Sequence, residues 1–576
     1  MSARARAAVV AALAVSALVL PAAAWAHASL LRTVPSASGV VNVPPARVAL
    51  TYSEAVEPRF AIVSVTDAAG TQMTAGPPRR SPRDPETLLV PLKHLDQGWY
   101  LVYWRVVSVD GHPVRGAFTF AVGPNAGPAP EFAIPSISET AAKPDLVVAR
   151  WIVLLSVMTA IGLFALRMLI ARPLVRRVHG TSLRSLNVAF AAALGIALVA
   201  TPVYTLMATA DFALRSTFDV GDLVPLMRKS AFGRAFLDLE LCLALLALAC
   251  GIALWVDRPS RERRSVAELF SLAGALLATG AVVGVVGASG HAAQTSPAAA
   301  ALAFDWVHVT AGSLWIGGLV GLLVLWWRLP EGRRIAGLVV CVPRFSNVAL
   351  VSVLALIASG VAASLLHLPT FASLWETSYG KAILVKVALL LVALLLAAVN
   401  LLSTKPRLQA HRRRPELAPG AASLLRRLVA GEALLVGGAV LAAAVLTSLP
   451  PPAAALGKVG NADARLGPGP LAHSVVRNGY RIDVAVDPNR AAVPNEFSVR
   501  VTRNGKPVRG ALVTTKLDML DMEMGEQGYQ LQETAPGVYS RTAPALVMVG
   551  HWGLTFQVVP PGRPPITVQI VDKANG

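Results

Sequence analysis

The sequence predicts a multi-domain membrane protein. It comprises an all-β Greek-key barrel or sandwich, an eight-helix transmembrane bundle and a C-terminal immunoglobulin-like β-sandwich. Three observations predict it. Of the 576 residues, 54% are hydrophobic and 15% charged, with a mean hydropathy of +0.57; soluble domains carry about 25% charged residues. Residues 146–448 contain eight apolar runs of bilayer-spanning length. The flanking blocks, 27–123 and 475–576, instead show short Val-, Tyr-, Phe- and Thr-rich segments broken by Gly, Pro and Asp.

Residues 1–26 read as a secretory signal peptide. Arg4 and Arg6 form the basic end, residues 7–20 the apolar stretch, and Ala24-Trp25-Ala26 a small-x-small cleavage site. Cleavage after Ala26 makes His27 the first mature residue. The strands of 27–123 follow as RVALTYS, FAIVSVTDAAG, TLLVPL, GWYLVYWRVVS and GAFTFAV, and 124–145 form a Pro-rich linker.

The spanning runs are placed at 147–170, 187–209, 236–256, 268–289, 304–327, 346–366, 382–402 and 428–448. The loops after runs 1, 3, 5 and 7 carry the arginines and lysines. Arg172, Arg176, Arg177 and Arg184 follow run 1, and Arg258, Arg261, Arg263 and Arg264 follow run 3. The opposite loops hold only Arg215, Arg228, Lys229, Arg234 and Lys381. Basic loops stay cytoplasmic, so both termini are expected outside a cytoplasmic (inner) membrane. The net charge of +19 and pI near 10.5 are therefore mainly a topological signal, and nucleic acid is not an expected partner.

Residues 449–474 form a second linker. Residues 475–576 carry the strands GYRIDVAV, EFSVRVTRNG, ALVTTKLDML, HWGLTFQVV and ITVQIVD, with Asn504-Gly505 as a hairpin turn. The three cysteines, Cys242, Cys250 and Cys341, lie outside both β blocks and form no Cys-x-x-Cys. Metal chemistry must then use His, Asp, Glu or Met.

At the mature N-terminus, the His27 amine and ring can chelate one ion. Asp110-Gly111-His112 adds two more donors, because residues at i and i+2 of an extended segment share a face. Two imidazoles, an amine and a carboxylate favour tetragonal Cu(II). Glu54 is the expected acceptor orienting a ligand histidine. In the membrane runs, His291, His308 and His367 lie near the outer face and are further candidate ligands. Lys386 reads as a snorkelling lysine. Glu432 reads as a helix-end carboxylate, with an exit-side metal or proton role as the alternative. In the C-terminal block, Met519, Met522, Met524, Met548 and His551 offer soft donors suited to Cu(I), with core packing as the rival explanation.

The segments HASLLRTVPSASG, LTYSEAVEP and VSVDGHPVRGAFTFAVG resemble the CopC family of periplasmic copper-binding proteins over nearly all of 27–123. The resemblance implies Cu(II) binding by His27, its amine, Asp110 and His112. The one methionine of this block, Met73, argues against the Met-rich Cu(I) site of some members. Segments such as FDWVHVTAGSLWIGGL and YGKAILVKVALL resemble the CopD family across about 150–450, multi-pass membrane partners of CopC associated with copper transport. GVYSRTAPALVMVGHWGLTF looks like small YtkA-type extracytoplasmic domains.

The expected function is copper capture and transfer across the membrane. The partners are copper ions, the bilayer and extracytoplasmic copper chaperones. No nucleophile–base pair or nucleotide motif stands out, so no enzyme is expected. The alternatives are a membrane copper reductase with haem on intramembrane histidines, or a histidine-brace oxygenase.

Overall fold

The computed structural model describes residues 30–575 except 37–38, 53–54, 108–112, 124–142, 289–296, 369, 411–416, 450–461, 492, 521–526, 544 and 548–549. The chain divides into two compact units, one helical and one built mainly from the two β domains.

The N-terminal β domain comprises β1 (Leu30–Val34), β2 (Val40–Val41), β3 (Arg47–Tyr52), β4 (Ile62–Asp67), β5 (Arg79–Arg80), β6 (Thr87–Pro91), β7 (Gly98–Val107) and β8 (Pro113–Val122). They form two four-stranded sheets, β1-β3-β6-β5 and β2-β8-β7-β4. All pairings are antiparallel except β2 with β8. Alternate residues of β3 (Val48, Leu50, Tyr52) and of β7 (Val102, Trp104, Val106) are fully buried. This is the period-two pattern of strands packed on one face. Tyr52 and Trp104 meet edge-on at 5.7 Å. The indole lies across Gly116 of β8, where a Cβ would come within 2.6 Å of Cζ2.

Among the described residues the long helices are α1 (Pro144–Ala165), α2 (Arg184–Ala213), α3 (Ala231–Val256), α4 (Val266–Ala288), α5 (Ala298–Arg328), α6 (Glu331–His367), α7 (Ser378–Val399) and α8 (Leu417–Leu446). All eight are long and apolar enough to cross a membrane. Helices α1 and α5 are among the most enclosed, and they cross at Gly162 and Gly317. A Cβ on Gly162 would fall 1.9 Å from the Ser313 carbonyl oxygen, so the crossing requires glycine. Helix α6 begins fifteen residues before its apolar run, and Cys341 is buried within it rather than lying in a basic loop. The apolar runs mark only part of these helices, and charged turns continue the same helices beyond them. Two π-helical turns, Leu166–Ile170 and Asn400–Thr404, continue α1 and α7. Such turns are frequent at functional sites.

The C-terminal domain contains β9 (Ala464–Leu466), β10 (Leu471–Arg477), β11 (Tyr480–Asp487), β12 (Asn495–Arg503), β13 (Lys506–Pro507), β14 (Leu512–Met519), β15 (Gln527–Ala535), β16 (Val538–Ala543), β17 (Gly550–Val559) and β18 (Ile566–Ala574). Its strands form one ladder, β10-β11-β12-β16-β15-β14-β17-β18-β9. The ladder curls until β10 approaches β18: Arg477 Nη1 donates to the Thr567 carbonyl at 2.5 Å. The sheet is thus nearly closed around one core. Asn504 and Gly505, at φ of 50° and 75°, make the tight turn between β12 and β13 with both central residues left-handed. Tyr539 ties the Val508–Ala511 turn to β16, donating to the Val508 carbonyl and accepting from Ala511 N–H, both at 2.9 Å.

Candidate metal centre

Three chain segments leave the N-terminal domain at one end. Leu30, the first residue of β1, pairs with Tyr52, the last of β3. Beyond Tyr52 the chain returns so that Glu57 N–H donates to the Val107 carbonyl at 3.1 Å. Arg80 fixes this return by donating to the Val56 carbonyl at 2.9 Å. Val107 closes β7 opposite Pro113, which opens β8. The flanks of residues 27–29, 53–54 and 108–112 therefore meet at one edge of the two-sheet domain. His27, Glu54, Asp110 and His112 themselves lie outside the described residues, as do His291, Met522, Met524 and Met548. The described part of the domain holds buried polar groups near this edge. Among the described residues, the Tyr52 hydroxyl and Trp104 Nε1 have no hydrogen-bond partner, and burial raises the Tyr52 phenol well above its ordinary pKa.

In the helical unit, His308 of α5 has both ring nitrogens engaged. Nδ1 lies 3.0 Å from Ser359 Oγ on α6, and Nε2 lies 3.2 Å from Lys386 Nζ on α7. Gly360 makes room for the ring, since a Cβ there would lie 3.3 Å from Cε1. Asp305, one turn before His308, is close enough to Lys386 for their charges to attract. Lys386 thus turns inward to a histidine–carboxylate pair instead of snorkelling outward. Among the described residues, Ser359 and Lys386 are the side chains that face the His308 ring nitrogens. His367, at the end of α6, has its Nδ1 2.7 Å from the Ala363 carbonyl of its own helix.

At the other end of the bundle the structure builds a buried ion cluster that sequence reading counted as loop charge. Asp257, after α3, bridges Arg167 and Arg172; Arg172 Nε donates to it at 3.0 Å. Arg172 also lies 3.5 Å from Glu268, which accepts Arg258 and Ser265 N–H at 2.6 Å each. Arg264 donates to the Met168 carbonyl in the same cluster, and burial lowers its pKa. The signal in sequence was present but weak: a basic residue inside run 1 and an acid at the end of run 3.

In the C-terminal domain, Met519 is 2% exposed and pairs with Trp552 across β14 and β17. Its thioether is part of the core. His551, on β17 opposite Lys573, feels the charge of Asp572. Asp572 is fully buried; its Oδ1 accepts from Asn489 Nδ2 at 2.8 Å, and among the described residues its Oδ2 has no partner. Burial pushes its carboxyl pKa up to about 6. Among the described residues, no three His, Cys, Asp or Glu side chains cluster as metal ligands.

Four family models match the chain in succession. The CopC domain covers 30–123, the Copper resistance protein D-like N-terminal domain 141–301, Copper resistance protein D 339–446, and the YtkA-like family 474–557. Copper transport protein CutJ of Bacillus subtilis (strain 168) is 27% identical over 550 residues, 92% of this chain and 93% of that protein. Protein YobA of Escherichia coli (strain K12) is 40% identical over 106 residues, 18% of this chain and 85% of YobA. The crystal structure of CopC from Methylosinus trichosporium OB3b matches at 29% identity and a TM-score of 0.16, covering 19% of this chain and all of that one.

Proposed function

The chain belongs to the CopC/CopD copper-resistance family, and from that premise we propose that it captures copper outside the cytoplasmic membrane and passes it through its helix bundle. The chain is a multi-pass membrane protein, and among the described residues eight helices are long and apolar enough to cross a membrane. In this reading both β domains are extracytoplasmic and the arginine-rich loops face the cytoplasm. Cu(II) is bound by the amine and ring of His27 with Asp110 and His112, while Glu54 accepts a hydrogen bond from a ligand imidazole and holds its orientation. The observation that carries the reading is the single end of the N-terminal domain at which the segments bearing these four residues leave the two sheets.

His308 is the membrane group that receives copper next, with His291 and His367 as outer-side donors. Nε2 of His308 must exchange Lys386 for the metal, so transfer is ligand substitution, with no catalytic step. The C-terminal domain assists: within the β unit Ala117 N–H donates to the Val547 carbonyl at 3.1 Å, which docks that domain on β8, the strand that follows His112. Met522, Met524, Met548 and His551 are its candidate donors to Cu(I). Soluble copper chaperones outside the membrane are the expected source.

The test is a Cu(II) titration of the protein whose chain begins at His27. A type-2 EPR spectrum with nitrogen couplings is expected, and one extra alanine before His27 should weaken binding by orders of magnitude. Unchanged affinity in the extended chain would remove the amine from the ligand set.

A further inference from the structure

A second polar centre lies in the half of the bundle that carries the arginine-rich loops. Helices α5, α6, α7 and α8 and the π turn after α7 line a partly open cavity of about 180 Å³, apolar except for Trp315, Ser346, Asn400 and Glu432. Glu432 is 3% exposed. Its carboxylate accepts from Asn400 Nδ2 and from the Trp315 side chain, both neutral donors. Asn400 is held by Thr404, whose hydroxyl donates to its carbonyl at 2.7 Å and to Oδ1 at 2.9 Å. The π turn Asn400–Thr404 sets this geometry, turning the amide into the cavity.

No Arg, Lys or His lines the cavity among the described residues. Several cations of the surrounding elements have other partners. Lys405 donates to Asn347 Oδ1 at 3.2 Å, and Arg344 to the Val340 carbonyl at 2.5 Å. On α8 itself, Arg426 lies over the Trp326 and Trp327 rings at 5.4 and 5.8 Å, and Arg427 follows it before the apolar stretch. Glu432 is thus a carboxylate beside a cavity whose described lining holds no counter-cation.

We propose that Glu432, positioned by Asn400 in this cavity, is a proton-binding site that couples passage of copper through the bundle to the proton gradient. The occupant is a proton because a hard metal cation takes about six oxygen ligands. The cavity offers the carboxylate, an Asn400 oxygen already bonded to Thr404, and one serine. A soft Cu(I) ion would find no sulfur or imidazole there. A proton needs one oxygen, and ionisable residues inside membrane bundles recur as proton relays. The cavity supplies the space into which the protonated and ionised forms can rearrange.

This inference rests on the copper passage proposed above, and its test separates the two. The full chain in lipid vesicles is treated with N,N′-dicyclohexylcarbodiimide, a membrane-soluble reagent for protonated carboxyls, and the Glu432 peptide is followed by mass spectrometry. Labelling of Glu432, falling about tenfold from roughly pH 6 to roughly pH 9, is expected; absence of labelling throughout overturns the proposal. Radioactive copper flux is then measured under an imposed pH gradient. Wild type should respond about fivefold or more, and the Glu432→Gln chain less than about twofold. An equal response in both, or a response to sodium in place of protons, overturns the coupling. If wild type moves no copper, the transport reading fails, and carbodiimide labelling alone decides whether Glu432 takes up a proton.

Discussion

The β domains and the helix bundle carry their functional polarity in opposite ways. In the N-terminal β domain the sheets bury aromatic and aliphatic side chains, and the candidate donors belong to short segments, each recognisable in sequence, whose described flanks meet at one end. In the bundle the polar groups lie far apart in sequence and meet only through helix packing. His308 meets Lys386 across 78 positions, Arg167 meets Asp257 across 90, and Glu432 meets Asn400 across 32. An edge site can be read as a motif, whereas a packed polar pair can be read only from the fold.

The contrast can be broken first at the bundle's ion cluster. Asp257→Ala leaves Arg167 and Arg172 buried without their carboxylate, and should cost about 3–5 kcal/mol, read as thermal unfolding of the full chain in detergent. An unchanged melting temperature would mean that these charges are solvated and the bundle is not held by buried ion pairs. A second test addresses independence of the two regions. His112→Ala should weaken Cu(II) binding at the outer domain about 100-fold, or about 2.7 kcal/mol, while His308→Ala leaves that affinity unchanged in the same isothermal titration. Equal losses in both would merge the two sites.

Smaller effects sharpen the comparison within the β domains. Asp572 has its pKa raised to about 6 by burial, so the fold favours its neutral form. Its stabilising contribution is complete below about pH 4 and is lost as pH rises through about 6. Relative to Asp572→Asn, the wild-type C-terminal domain should lose about 2 kcal/mol of stability across that window, measured by denaturant unfolding at each pH. Parallel curves would show that Asp572 is ionised and partnered. Tyr539→Phe removes both bonds of the 508–511 turn and should cost about 1 kcal/mol; amide exchange at Ala511 should rise with it.

Most strands of the β domains were legible as alternating segments: RVALTYS is β3, GWYLVYWRVVS is β7 and HWGLTFQVV is β17. Strands β10, β15 and β16 were not. They are half polar on an outer face, and their pairing rather than their composition makes them strands. The helices were legible as apolar runs but not in length, because hydropathy ends at the first arginine while the backbone of α6 and α8 does not. Met519 looked like one member of a thioether cluster, and its neighbour Trp552 makes it core. Lys386 looked like an interfacial lysine because hydropathy weighs depth and ignores the partner on another helix. Glu432 looked like a helix end because its apolar run begins near it, whereas α8 starts fifteen residues earlier.

The most direct test of capture followed by hand-over is copper uptake into vesicles holding the full chain in one orientation, outer domains exposed, at limiting and at saturating copper. The account predicts that His112→Ala slows uptake at limiting copper and is rescued by saturation, while His308→Ala stays slow at both. Full uptake by the His308→Ala chain, or no difference between wild type and His112→Ala at limiting copper, would contradict it.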